Sequence, residues 1–182
     1  QMNNNFSLNS ILSLEYFLNN DDYSFFFEFI LDDFQIDKKE PGDLEPTEFG
    51  FLVQFDKLLN NLINYNFNYV IISNRTFNAP INVYEKMIYK NFPIGHILGN
   101  NFWKIENGLS FSNQDYIFSM NHVYIEKGDE ALFSEFNTDY LNYNINQGYK
   151  ESFPFGNKNI LSGVVCNLFI EKYKKININS SV

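Results

Sequence analysis

Apolar residues recur with two different periods along the chain, and each period predicts a type of secondary structure. Between residues 116 and 125 the side chains alternate in the period of a strand, and one set consists of Tyr116, Phe118, Met120, His122 and Tyr124. A turn follows at Glu126–Glu130 and a second apolar stretch at Ala131–Phe136, so this region predicts a β-hairpin. The short, β-branched run Tyr69–Ile72 predicts a strand that is buried on both faces.

Helical periodicity predicts two amphipathic helices. The first spans Ser7–Asn19, with Ser7 as its N-cap and an apolar side made of Leu8, Ile11, Leu12, Phe17 and Leu18. The second follows a break at Asn78–Pro80 and has an apolar side made of Val83, Met87 and Ile88. It ends at Phe92–Gly95, because the residue before a proline avoids helical backbone angles and glycine adopts angles that other residues avoid.

Three further apolar stretches fit either a strand or a helix, and their periodicity does not separate the two. They are Tyr23–Leu31, Phe49–Ile63 and Ile160–Ile170. The leucines of the second stretch fit a helical stripe well. Between the first two, Asp37–Thr47 contains two prolines and a glycine and predicts a loop, while Trp103–Leu109 predicts a short strand.

Composition predicts one acidic, well-packed domain. The 182 residues are 45% apolar and 19% aromatic, which is typical of a globule with a substantial core. A net charge of −9 disfavours nucleic acid, whose binding depends on Lys and Arg, and favours a basic partner. The single cysteine, Cys166, excludes an internal disulfide and fits a reducing compartment.

The chain shows no signal for a membrane or a metal. No apolar run approaches the roughly 18–20 residues that span a bilayer, and no signal peptide is evident. We therefore expect a soluble, cytoplasmic protein without a membrane partner. Neither His96 nor His122 stands at a metal-ligand spacing, and cysteines do not cluster, so no metal site is predicted.

Three short motifs follow one another in a recognisable order. Asn74–Thr76 comes after a predicted strand, Pro93–Leu98 comes after the next predicted helix, and Leu132–Glu135 comes after a glycine-containing turn. In this order and at this spacing they resemble the chorismate pyruvate-lyase (4-hydroxybenzoate synthase) family. The resemblance covers roughly residues 8–136 and leaves residues 137–182 as an extension of the single domain.

The resemblance implies an α+β fold, in which helices cover a mostly antiparallel sheet that encloses a small-molecule cavity. It also implies a strand in the ambiguous stretch after the loop. Family members eliminate pyruvate from chorismate to leave 4-hydroxybenzoate, and they need no metal or organic cofactor. By this resemblance Glu135 is catalytic and contacts the hydroxyl end of the ring, Arg75 or Lys57 holds a carboxylate, and the amides around Ile94 and Gly95 cap the ligand.

The chain departs from the family pattern at one important position. Family members carry an arginine on the strand before the Arg-Thr motif, where it clamps the substrate carboxylate, whereas Val53–Lys57 offers only Lys57. Charge-assisted hydrogen bonds contribute about 1.5–3 kcal/mol each, so losing two weakens carboxylate binding by at least about a hundredfold. The expected function is a lyase-like protein that binds an aromatic carboxylate, with or without catalysis.

A second hypothesis comes from another functional class. A small acidic chain, rich in asparagine and aromatic residues, also suits a bacterial immunity protein that neutralises a basic toxin. Its partner would be a basic protein, and opposite surface charges would speed the encounter.

Overall fold

One antiparallel sheet forms the body of the protein. The computed structural model describes residues 11–33, 39–79, 86–90, 92–113, 115–129, 132–170 and 178–181. Within them, eight strands pair in chain order, each beside its predecessor in the sheet, and a small hairpin is inserted after the fourth. The strands of the sheet are β1 (Leu12–Asn19), β2 (Tyr23–Asp33), β3 (Glu48–Asn60), β4 (Ile63–Ile72), β7 (Phe102–Ser112), β8 (Tyr116–Gly128), β9 (Lys158–Ile170) and β10 (Ile178–Ser181). The inserted hairpin consists of β5 (Ile88–Tyr89) and β6 (Phe92–Pro93).

Large apolar side chains share one face of the sheet, because residues that pair in register point to the same side. We call it the aromatic face. It contains Leu14, Tyr16, Phe25, Phe27, Phe29, Phe51, Val53, Phe55, Tyr65, Phe67, Tyr69, Trp103, Ile105, Leu109, Phe118, Met120, Tyr124, Val164 and Leu168. Aromatic rings pack across neighbouring strands here, as in the edge-on contact of Phe27 with Phe51 at 5.2 Å between centroids.

The opposite side, which we call the mixed face, changes character along the strands. Near the tight turns it combines polar residues with exposed apolar ones. The polar residues are Ser24, Asp56, Asn64, Asn66, Ser110 and Ser119, and the apolar ones are Phe17, Leu58, Ile117 and Phe169. Towards the other end of the sheet it becomes apolar and contains Ile30, Gly50, Leu52, Val70, Ile72 and Phe102. The apolar half is where the connecting segments pack.

Asparagine side chains close the three tight turns at one end of the sheet. The Oδ1 atom of Asn20 accepts hydrogen bonds from the backbone N–H groups of Asp22 and Tyr23, both at 2.9 Å. Asn60 and Asn113 make the same pair of bonds to the residues two and three positions ahead, again at 2.9 Å. Each asparagine thus mimics a backbone turn and joins consecutive strands.

Long connections meet at the other end of the sheet and build the core there. Two of them, residues 73–101 and 129–157, contribute Phe77 and Leu132 to a buried cluster with Val70, Ile72 and Phe102 of the mixed face. A single sheet cannot bury its apolar surface alone, so these connections act as the second layer over part of it.

The expected α+β fold is wrong, because the described residues contain no α-helix and only two 3-10 turns, Pro41–Leu44 and Asp139–Asn142. The predicted helix at Ser7–Asn19 is strand β1 from Leu12 onward, which pairs with β2 along its whole length, while residues 7–10 with the predicted N-cap lie outside the described part. Of the second predicted helix, Lys86–Lys90 contains the short strand β5 and residues 80–85 lie outside the described part.

Several predictions of individual strands are confirmed, and one is wrong. The strands at Tyr69–Ile72 and 116–125 are confirmed as parts of β4 and β8, but Tyr69 and Ile71 are only half-buried, so the expected burial of both faces is wrong. Tyr23–Leu31 and Ile160–Ile170 are strands, and Phe49–Ile63 contains most of β3, a tight turn and the first residue of β4. The second hairpin strand at Ala131–Phe136 is wrong, since Leu132–Phe136 form a turn and a loop. No helix in the described part of the chain is long and apolar enough to cross a membrane.

Candidate functional site

The mixed face carries a cleft of about 370 Å³. It lies between β1–β4 and the segment Met87–His96 that carries the small hairpin. Its volume falls within the range of about 300–1,000 Å³ that small-molecule sites occupy. The mixed face supplies the floor because its apolar half extends beyond the area that the connections cover.

The floor of the cleft is apolar and well packed. Val70, Ile72 and Phe77 are almost completely buried beneath it, and Ile30 and Leu52 pack against them. Gly50 lines the floor as well, and a Cβ atom there would lie 3.6 Å from the Cβ atom of Ile30, which is an ordinary contact distance. The missing side chain at this position leaves room for a ligand.

Two carboxylates lie on one wall. Glu15 of β1 and Glu28 of β2 pair directly in the antiparallel register, and both line the cleft. Glu15 is exposed and Glu28 is half-buried. Like charges directly opposite each other on neighbouring strands are unfavourable, so this wall is locally destabilising and strongly negative.

The segment after β6 forms the facing wall. Ile94 and Gly95 line the cleft there, and the backbone N–H of Ile94 donates to the carbonyl oxygen of Met87 at 2.8 Å. A Cβ atom on Gly95 would lie only 2.6 Å from the ring of Phe77, so only glycine allows this approach. Close packing of the chain on Phe77 therefore fixes the position of the wall.

His96 is the last residue of the facing wall, and its imidazole ring is neutral there. Its ring packs against Phe102 at 4.8 Å between centroids, and its Nδ1 atom accepts a hydrogen bond from the backbone N–H of Leu98 at 3.1 Å. Burial lowers the pKa of His96, and the positive charge of Lys104 lowers it further. The ring consequently adds no positive charge to the cleft at neutral pH.

The structure separates the residues that the sequence placed at one site. Ile94 and Gly95 line the cleft, whereas Glu135, Arg75 and Lys57 do not. Glu135 is exposed in the loop after Leu132. Lys57 is exposed on β3 near the tight turns and points to the aromatic face.

Arg75 holds two of the long connections together. Its guanidinium is 1% exposed, and its Nη1 atom lies 2.8 Å from the Oε1 atom of Glu151. Nε donates to the carbonyl oxygen of Asn137 at 2.9 Å, and the rings of Tyr140 and Phe136 lie 5.5 and 5.8 Å from the guanidinium carbon. These contacts engage Nε, Nη1 and the faces of the guanidinium with protein groups, so Arg75 packs inside the protein between the two connections.

Several buried carboxyl groups surround this end of the sheet. Glu48 at the start of β3 is 4% exposed, and burial raises its pKa to about 9, helped by the negative charges of Asp32, Glu45 and Asp33. Asp32 accepts a hydrogen bond from the backbone N–H of Phe77 at 2.5 Å. In the described residues no group of histidine, cysteine and carboxylate side chains has the arrangement of a metal site.

The cleft therefore combines an apolar floor, a negative wall and a neutral facing wall. Such a site suits a ligand with an apolar body and a positively charged group. Sequence reasoning missed Glu15 and Glu28, whose proximity depends on the hairpin between β1 and β2. Comparisons with protein-family models, with curated proteins and with solved structures found no match for this chain.

Proposed function

We propose that the protein binds a small organic amine, with an alkyl or aryl body on the floor of the cleft and its ammonium group beside Glu15 and Glu28. The observation that carries this proposal is the direct pairing of these two carboxylates on the wall of an apolar cleft. A bound cation relieves their mutual repulsion, and the floor removes apolar ligand surface from water.

The expected selectivity follows from the charge of the wall. Two opposite charges about 4 Å apart near a protein surface interact by about 4 kcal/mol before desolvation is subtracted. If about a third of that remains, an amine binds about tenfold more tightly than a neutral molecule of the same shape. A carboxylate of the same shape is repelled and binds more weakly than either.

The same argument disfavours the aromatic-carboxylate ligand of the lyase-like hypothesis. Its support came from a resemblance that implied a helix-covered sheet, and that fold is not present. A carboxylate ligand also needs a cation on the cleft wall, and the described lining residues include neither lysine nor arginine. We therefore do not extend the proposal to pyruvate elimination.

Three ligands of nearly identical shape test the proposal. 3-Phenylpropylamine, 3-phenylpropanol and 3-phenylpropanoate are titrated into the protein by isothermal titration calorimetry at pH 7. We expect the amine to bind about tenfold more tightly than the alcohol and the carboxylate to bind weakest. If the carboxylate binds as tightly as the amine or more tightly, the amine proposal is refuted and an aromatic acid is favoured as the ligand.

A matched pair of variants distinguishes the effect of the two wall carboxylates on amine binding from the effect of the net charge. Glu15→Gln/Glu28→Gln removes both wall carboxylates, while Asp21→Asn/Asp22→Asn removes the same charge from the exposed turn between β1 and β2. The first variant is expected to bind amine and alcohol equally, and the second to keep the preference of the native chain. The reverse pattern would contradict a role for the wall.

A further inference from the structure

The aromatic face exposes more large apolar side chains than is usual on the surface of a monomeric protein. Leu14 and Tyr16 on β1 are 62% and 53% exposed, and Ile160 at the other side of the sheet is 63% exposed. Between them, Leu109, Phe118 and Met120 are each at least 40% exposed. Contiguous apolar patches of this kind mark interaction surfaces.

Charge is confined to the margins of this face. Lys57 stands near the tight turns, and Glu126 and Lys158 form a 2.9 Å ion pair at the opposite end of the strands. The centre contains aromatic and aliphatic side chains with a few small polar groups. A partner that covers the centre therefore desolvates almost no charge, which removes the main penalty of burying a protein surface.

We propose that the aromatic face is the interface of a homodimer, in which two copies of the sheet pack face to face. A sheet with one apolar face is stable when that face lies against another layer, and sheets stack about 10 Å apart in such two-layer packings. A second copy supplies the same apolar surface, and a two-fold axis makes the contact self-complementary. This interface is on the opposite side of the sheet from the cleft and does not depend on the proposed ligand.

The area of the face matches what a stable dimer requires. Seven long strands spaced about 4.8 Å apart, each with about ten residues rising about 3.3 Å, give a footprint of roughly 1,100 Å². A stable interface needs about 800 Å² from each partner. The face therefore suffices even if twist leaves about a quarter of it uncovered.

The net charge of −9 predicts how salt affects the dimer. Two acidic copies repel each other through charges that lie outside the interface, and salt screens that repulsion over about 10 Å at 0.1 M. We expect the dimer to tighten between 50 and 500 mM NaCl. An association through opposite charges would weaken over the same range.

Sedimentation equilibrium of the full chain without detergent tests the proposal. We expect a mass of about twice 21.5 kDa at micromolar concentrations. Met120→Lys/Val164→Lys places two charges on the aromatic face, and Ile117→Lys/Val165→Lys places two on the mixed face of the same strands at equally exposed positions. The first variant is expected to be monomeric and the second to stay dimeric. A monomeric native chain, or dissociation by the mixed-face variant alone, would overturn the proposal.

Cys166 offers a second readout that requires no substitution. It is the single cysteine, it is half-buried, and it pairs with Met120 on the aromatic face. Its alkylation by a maleimide is expected to slow several-fold as the protein concentration rises through the dissociation constant. A rate that does not change with concentration would overturn the homodimer, and binding of monomers to phosphatidylcholine vesicles would identify a lipid surface as the occupant instead.

Discussion

Glu15 and Glu28 lie directly opposite each other on β1 and β2, where two negative charges share one wall of an apolar cleft. This arrangement costs stability and therefore points to a binding role, because cross-strand pairs of like charge are unfavourable by up to about 1 kcal/mol. A site that sacrifices stability for recognition shows opposite effects of one substitution on folding and on binding.

Neutralising one member of the pair tests that trade-off. Glu28→Gln keeps the shape of the side chain and removes the repulsion, so we expect the free energy of unfolding to rise by about 0.2–1 kcal/mol. The affinity for 3-phenylpropylamine is expected to fall several-fold in the same variant. Urea denaturation and calorimetry measure the two quantities. A parallel loss of stability and affinity would mean that the pair supports the fold.

Substitutions at Gly50 on the floor of the cleft test protein stability and amine binding separately. Gly50→Ala adds a Cβ atom at ordinary contact distance from Ile30 and Ile72, so stability should be unchanged or slightly higher. Gly50→Leu extends the side chain over the floor and is expected to reduce amine affinity at least tenfold. If Gly50→Leu stays folded by circular dichroism and binds the amine as tightly as the native chain, the ligand does not occupy this cleft.

Arg75 is expected to be a stability residue and not a ligand-binding residue. Arg75→Ala removes the positively charged partner of Glu151 in a mostly buried location and leaves it only the hydrogen bond from the Tyr149 hydroxyl at 3.2 Å. Losing one member of a buried ion pair costs about 3–5 kcal/mol. The amine affinity of the remaining folded protein should stay within about twofold of the native value. Denaturant midpoints and calorimetry check both statements, and a selective loss of binding in a stable Arg75→Ala protein would contradict the assignment.

Two strand glycines give a matched test of how tightly the connections pack. A Cβ atom at Gly128 would collide with the backbone carbonyl oxygen of Phe155 and with the side chain of Asn101, whereas nothing lies within 4 Å of a Cβ atom at Gly163. We expect Gly128→Ala to lower the free energy of unfolding by about 1–3 kcal/mol, as overpacking does, and Gly163→Ala to leave it unchanged or raise it. Equal effects would show that the contact with Phe155 carries no constraint.

The raised pKa of Glu48 makes the stability of the folded protein depend on pH. Its pKa is about 9 in the folded protein and near 4.5 in the unfolded chain. Below pH 4.5 both states hold the proton, so the group costs nothing. Between pH 4.5 and 9 only the unfolded chain releases it, which lowers the free energy of unfolding by up to about 1.4 kcal/mol per pH unit.

Substitution of this residue isolates its contribution. Glu48→Gln cannot ionise, so its stability advantage over the native chain should grow from pH 5 to pH 8 by about 2–4 kcal/mol. Urea denaturation at each pH measures the difference, and Glu135→Gln, which removes one exposed carboxylate, controls for the change in net charge. A constant difference between Glu48→Gln and the native chain would show that Glu48 stays ionised in the folded protein.

Alternation predicts a strand most clearly where large apolar residues occupy every second position of a segment. In β8 the pattern is unambiguous, and the strand was predicted correctly. In β1, Leu12, Leu14 and Leu18 alternate, but Ile11 and Phe17 on the other face complete an equally good helical stripe. Pairing with β2 decides between the two, and periodicity within one segment carries no information about that pairing.

The asparagines contained a signal for the hairpins. Asn20, Asn60 and Asn113 each begin a four-residue turn, and each is followed three positions later by an apolar residue that starts a strand. Asparagine favours such turns because its side chain bonds to the backbone two residues ahead. Counting outward from the first turn also pairs Glu15 with Glu28, so the negative wall was within reach of the sequence.

The remaining site residues depend on long-range packing. The family resemblance implied that the amides around Ile94 and Gly95 cap a ligand, and both residues line the cleft. The resemblance also implied that Arg75 or Lys57 holds the carboxylate of a ligand, but Arg75 is engaged elsewhere. Its actual partner, Glu151, is 76 positions away in a connection whose path no local pattern specifies.

The location of the bound amine is the most direct test of an amine site in the cleft. Two-dimensional ¹H–¹⁵N spectra of the protein are recorded during titration with 3-phenylpropylamine. Binding at the cleft predicts that saturable shifts concentrate on residues of β1–β4 that line the cleft and on the lining residues Met87, Ile94, Gly95 and His96, and that the shifts disappear in Glu15→Gln/Glu28→Gln. Shifts centred on the aromatic face, or identical shifts with 3-phenylpropanoate, would contradict an amine site at this cleft.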